Sequence, residues 1–148
     1  MSEVSEAGAQ PGDTDLGVEF ARRMWEDDAA SRSLGMEATV LEHDHAVVRM
    51  AIRADMVNGH AMCHGGFIFT LADSCFALAC NSRGRLTVAA GADIAFTAPA
   101  RLGDVLFAEA RTRGSYGRSG LTDVTVKRES DGQIVAEFRG RSRSPKRS

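Results

Sequence analysis

From Phe67 to Cys80 the chain reads FIFTLADSCFALAC, apolar on almost every side and broken by one carboxylate, Asp73. A helix that is apolar nearly all round belongs in a core. This segment is also too short to cross a bilayer. It is predicted to open at about His64, with Gly65 and Gly66 in its first turn and Asn81 and Gly84 marking its end. Before it, Thr14 or Asp15 caps a first helix predicted to run towards Gly35, with Leu16, Phe20, Met24 and Trp25 at helical spacing. From Met36 the period shortens. MEATVLEHD and AVVRMAIR are rich in β-branched residues and separated by HDH, which predicts a hairpin whose His43 and His45 face solvent.

Beyond the central helix, TVAAGADIAFTA, DVLFAEART, LTDVTVKRE and IVAEFRGR predict further strands. In the second, Val105, Phe107 and Glu109 share one face and Leu106, Ala108 and Ala110 the other; Val124 and Val126 point inward from the third. DGQ at 131–133 signals a tight turn. The order (helix, two strands, apolar helix, antiparallel strands) is an α+β layout, a sheet curled over one helix.

Composition narrows the function classes. The 148 residues are one domain's worth, 43% hydrophobic and 26% charged, as in globular chains. Eighteen basic and twenty acidic side chains nearly cancel, so no global field points to nucleic acid or membrane. Residues 1–13 have no periodic apolar face and read as disordered, residues 14–143 as the domain, and 144–148 as a flexible basic tail. Three cysteines and a polar, acidic start without a charged-then-apolar leader predict a reducing cytoplasm.

Asp73 is the chemical question. It lies too deep in its helix to cap it, and an unpaired buried carboxylate costs several kcal/mol, to order of magnitude. It is either a hydrogen-bonded structural residue or a reactive one. Gly65 and Gly66 would present backbone N–H groups at a helix N-terminus, where an acyl oxygen could gather negative charge. Yet Gly65 and Asp73 stand about 12 Å apart along one helix at 1.5 Å per residue. Either they are unrelated, or the Asp73 of one chain meets the Gly65 of a second across a two-fold interface. A zinc site from His60, Cys63, His64 and Asp73 has irregular spacing, and Cys63 as a nucleophile competes with Cys63 as a small core residue. SYGRSGLTD (115–123) is a turn with an Arg, or a phosphate contact.

The stretch VNGHAMCHGGFIFTLADSCFALACNSRG resembles the signature of the hotdog-fold acyl-CoA thioesterases of the phenylacetic-acid-degradation (PaaI) type: N-G-x-x-x-x-H-G-G, an Asp on the central helix, then C-N-S. The resemblance runs from about Leu16 to Arg143. It implies a sheet wrapped round a helix, hotdogs paired edge to edge as homodimers and commonly as tetramers, and hydrolysis of aryl- or arylacetyl-CoA thioesters. It implies Asp73 as catalytic base or nucleophile, Gly65 N–H on the thioester oxygen, and His64 and Asn58 orienting acyl group or water. Gly117, Arg118 and Ser119 fall where these proteins contact the CoA nucleotide. No metal or prosthetic group is implied. ADIAFTAPA departs from relatives that carry a charged residue near the Phe-x-x-Pro. The alternatives are a hotdog hydratase or dehydratase, and a non-catalytic acyl-CoA binding module.

Overall fold

The structure, a computed structural model, describes residues 11–146, with side chains from Asp15 onward. A first helix, α1 (Pro11–Glu26), is followed by a short α2 (Ala29–Ser33). The hairpin strands β1 (Glu37–Glu42) and β2 (His45–Ala51) come next, then the central helix α3 (Gly65–Asn81). Strands β3 (Val88–Phe96), β4 (Val105–Tyr116), β5 (Ser119–Arg128) and β6 (Ile134–Arg143) complete one six-stranded antiparallel sheet in the order β1-β2-β4-β5-β6-β3. The sheet curls over α3, and this is the hotdog fold.

The expected alternation holds along the inner strands. Leu106, Ala108, Ala110, Val124 and Val126 are fully buried against α3, which answers with Leu71, Ala72, Cys75, Phe76, Leu78 and Ala79. Each large side chain so buried contributes about 1.5–3 kcal/mol. Small residues on both sides let helix and sheet approach closely. At Gly140 a Cβ would lie 2.7 Å from the Phe76 ring, so glycine there makes room for the largest core side chain.

The N-terminal helix differs from expectation twice. It is two helices, because the Asp28 carboxylate accepts the amide hydrogen of Ser31 (3.0 Å) and starts a new one. Its inner face is also only in part the predicted one: Met24 and Trp25 pack against the core, but Leu16 is 70% exposed and Phe20 37%, whereas Gly17 and Ala21 are buried. A Cβ on Gly17 would fall 2.3 Å from the Ser82 carbonyl oxygen, so only small residues allow α1 to lie this close to the end of α3. Of the segment expected to be disordered, 1–10 lies outside the described residues, and Pro11–Asp13 belong to α1.

Two smaller corrections concern polar residues. His45 is not a solvent residue; it sits between Glu42 (3.1 Å) and Glu109 (2.8 Å), drawn in by pairing of β2 with β4. Ser144, expected in the tail, is buried: its amide donates to the Arg118 carbonyl and its hydroxyl pairs with Thr87. No described helix is long and apolar enough to cross a membrane.

Candidate active site

The start of α3 is built by the loop before it. Asn58 holds that loop in a compact turn, its side-chain oxygen accepting from the amides of His60 (2.9 Å) and Met62 (3.2 Å). A bridge between Val57 and Cys63 closes the turn. His64 then caps the helix: its Nδ1 accepts the Gly66 amide hydrogen at 3.2 Å. A ring nitrogen that accepts carries no proton, so the neutral imidazole holds its hydrogen on Nε2, on an exposed side chain. Of the two glycine amides, one is therefore taken. The other, Gly65 N–H, donates no hydrogen bond among the described residues and stands at the positive end of α3.

Over Gly65 lies the ring of Phe96, from the far end of β3. A Cβ on Gly65 would meet its Cζ at 3.0 Å. The two residues border a recess of about 410 Å³, otherwise mostly apolar, with Met62, Ile68 and Pro99 in its wall and Asn58 at its polar rim. Phe69 and Phe76, aromatic side chains of α3, pack on Phe138 in the core. Phe96 is left, 53% exposed.

Asp73 is elsewhere on the same helix. The sheet and α1 do not cover α3 all round: Gly66, Thr70, Asp73 and Ala77, at spacings of four, three and four, form a stripe left partly or wholly open. Asp73 is half-buried on that stripe, and its carboxylate accepts no hydrogen bond among the described residues. Desolvation, with the Asp28 carboxylate as the lesser cause, raises its pKa above the usual aspartate range. Loss of water disfavours the charged form, and a like charge adds to that. Such a group takes up a proton readily. Along the helix it remains about 12 Å from Gly65, so the two do not converge within one chain.

The zinc candidates are not brought together, and among the described residues no three His, Cys, Asp or Glu side chains are grouped to hold a metal. Cys63 is buried, its thiol pushed up to about 11 by desolvation, which removes the thiolate a nucleophile needs.

Gly117, Arg118 and Ser119 form the β4–β5 hairpin tip and line a second recess, small and polar, of about 90 Å³. Sequence reasoning missed the rest of its wall. Arg83 and Arg85 come from beyond the end of α3, and Ser142 and Ser144 from the end of β6. Arg83 is paired with Asp44 (2.7 Å); Arg85 and Arg118 have no carboxylate partner among the described residues. Several hydroxyls beside two unneutralised guanidinium groups suit an anionic group. The scatter of these residues over three segments explains why no motif announced them.

A thioesterase superfamily model matches residues 60–135. The acyl-coenzyme A thioesterase PaaI of Escherichia coli is 41% identical over 82% of this chain and 86% of its own. The chain belongs to the thioesterase superfamily. Within that family its likeness is to the PaaI type, and the chain is a thioester hydrolase. The solved E. coli PaaI protein, from the phenylacetic acid degradation operon, superposes with a TM-score of 0.86 at 37% identity, covering 90% of this chain and 96% of that one. A variant of PaaI from Thermus thermophilus gives 0.76 at 35% identity, over 80% of this chain and 100% of its own. A Streptococcus mutans protein solved with acetyl CoA bound gives 0.72 at 27% identity, over 76% and 91%.

Proposed function

We propose that this protein hydrolyses aryl- or arylacetyl-CoA thioesters to the free acid and CoA, at sites shared between two copies of the chain. The observation that carries the reading is the pair of unmet groups on α3. A carboxylate and an amide, each without a hydrogen-bond partner among the described residues, lie about 12 Å apart on one helix. A second copy placed across a two-fold axis brings the Asp73 of one chain to the Gly65 of the other, and covers the open stripe.

In that arrangement the thioester carbonyl accepts from Gly65 N–H, and its oxygen gains charge as attack proceeds, where the helix dipole favours it. Asp73 serves as base on water or as nucleophile; its raised pKa suits it to take the water's proton. Asn58 at the rim of the recess and the exposed Nε2–H of His64, next to Gly65 in sequence, orient acyl group or water. The thiolate of CoA leaves readily, so no metal or prosthetic group is required. Phe96 and the apolar recess favour a flat acyl group. The arginine-lined recess at Gly117, Arg118 and Ser119 takes the CoA nucleotide, a reading supported by the Arg85 and Arg118 guanidinium groups, which have no carboxylate partner among the described residues.

Thiol release measured across phenylacetyl-, benzoyl- and straight-chain acyl-CoA esters tests the substrate. Preference for the aromatic esters is expected, and equal or better turnover of aliphatic ones would overturn it. Crotonyl-CoA, losing its enoyl absorbance without releasing thiol, would indicate the hydratase chemistry instead. Shared sites are tested by mixing chains that carry Asp73→Asn with chains that carry Gly65→Pro: each alone is inactive, and mixed pairs regain one whole site. No recovery after verified subunit exchange would exclude sharing.

A further inference from the structure

Next to Asp73 a chain of three side chains ties α2 to the middle of α3. The Ser31 hydroxyl donates to Asp28 Oδ2 at 2.6 Å, and the same Ser31 oxygen lies 2.7 Å from Ser74 Oγ. A carboxylate only accepts, so Ser31 spends its one proton on Asp28 and must accept from Ser74. The direction is fixed: Ser74 to Ser31 to Asp28. Ser74 and Ser31 are buried, at 8% and 1% exposure, and Ser74 follows Asp73 in sequence. A second bond, Ser31 N–H to Asp28 Oδ1 (3.0 Å), holds the carboxylate from its other oxygen.

We propose that Asp28 is a positioning residue for thioester hydrolysis: held by Ser31 and Ser74, it sets a second, fixed carboxylate beside the catalytic Asp73 and tunes it as a base. The proposal rests on the reading of Asp73 as the catalytic carboxylate. A structural cap would need only the Ser31 amide bond, which any exposed helix start provides. Here the cap is also anchored through a buried hydroxyl pair to the residue adjoining Asp73, which fixes where its charge lies.

Among the described residues, the rest of the surroundings leaves Asp28 as the charge that matters. The strands packed on α3 place His45 and Arg49, Glu109 and Arg111, Asp123 and Lys127, and Glu137 and Arg139 on the opposite face of the sheet. Glu19, Arg22 and Arg23 of α1, Glu37 and Glu42 of β1, Arg32 of α2 and Asp93 of β3 are exposed or partly exposed. The other titratable groups on α3 are Cys75 and Cys80, whose thiols are pushed up to about 12 by burial and stay neutral. The Asp28 carboxylate accordingly contributes to raising the pKa of Asp73.

The test is the pH profile of kcat/KM with phenylacetyl-CoA, or with the best ester of the thiol-release screen. Asp28→Asn keeps the size and the acceptor of the cap but removes the charge. The acid limb, where Asp73 loses its proton, is expected to move to lower pH, because a repelling charge no longer favours the protonated form. A limb that stays in place, whatever happens to the plateau, overturns the proposal. If Asp28→Asn does not fold, Asp28→Ser serves instead: it keeps a capping acceptor without the charge, and the limb must move the same way. Asp73→Asn in parallel separates the two readings. An active Asp73→Asn sinks the role of Asp73 itself, whereas an inactive one with an unmoved limb in Asp28→Asn sinks only the role of Asp28.

Discussion

His64 and Gly66 are joined by a hydrogen bond from backbone to imidazole, 3.2 Å long, that decides which amide at the start of α3 stays available. Removing the ring should cost a helix cap, about 1 kcal/mol, and free a second N–H to compete for the substrate oxygen. His64→Ala is therefore expected to unfold at lower denaturant concentration and to turn over more slowly. His64→Asn, which can cap, should recover the stability but not the turnover. Urea titration beside a thiol-release assay checks both.

Gly65→Pro isolates the other amide. Proline is at ease in the first position of a helix, and His64 before it is already extended, with ψ 132°. The N–H is lost while the helix remains. Turnover should fall about 10²–10³-fold, the size of one lost oxyanion donor. The new ring also pushes on Phe96, so Phe96→Ala is the control: it should alter KM for aromatic esters and leave kcat comparatively intact. Equal kcat in the two variants would remove Gly65 from the chemistry.

Asp73→Asn should abolish turnover and raise the melting temperature. A carboxyl whose folded pKa is raised adds stability only while protonated: present below its unfolded pKa, lost as pH rises through the folded one. At neutral pH the wild-type charge thus opposes folding, and the neutral amide does not. Differential scanning fluorimetry at pH 7 and again near pH 4 should show the variant's advantage shrink in acid.

Gly17→Ala sets two effects against each other. Alanine is favoured over glycine within a helix by about 1 kcal/mol. The added methyl, however, would stand 2.3 Å from the Ser82 carbonyl oxygen and 2.9 Å from the Arg83 carbonyl carbon, both backbone atoms. Overpacking of that kind costs about 1–3 kcal/mol. The net should be destabilising, read as an earlier midpoint in chemical denaturation.

The three thiols should be silent. Cys63, Cys75 and Cys80 are all buried, and burial pushes the last two up to about 12. A disulfide reagent should label none of them in the native state and all three in denaturant. Cys63→Ala should retain turnover, which a nucleophilic cysteine could not.

What the sequence disclosed follows from what leaves a periodic trace. The inner strands alternate cleanly, and α3 is long and apolar, so both could be placed to within a residue or two, except that β4 runs four residues past the segment DVLFAEART. The inner face of α1 was read correctly at Met24 and Trp25 and misread at Leu16 and Phe20, the larger apolar residues of the first turns, because the close approach to Ser82 demands Gly17. Size, not hydrophobicity, chose the face. The break at Asp28 carries a cap signal three residues before Ser31, but it lay inside a run that otherwise reads as one helix. That Asp73 sits on the open stripe of α3 could not be seen at all, since exposure of a helix face depends on where distant strands stop. His45 and Ser144 are similar, each drawn inward by a partner more than fifty residues away.

β3 ends the sheet with its outer backbone edge unmatched, and Val88 and Phe96 stand half in water beside it. A solitary copy fresh from synthesis therefore carries an unfinished seam, able to recruit any passing extended segment. On the proposed sharing of sites between two copies, that seam waits for a partner, so the yield of finished protein should rise with its concentration.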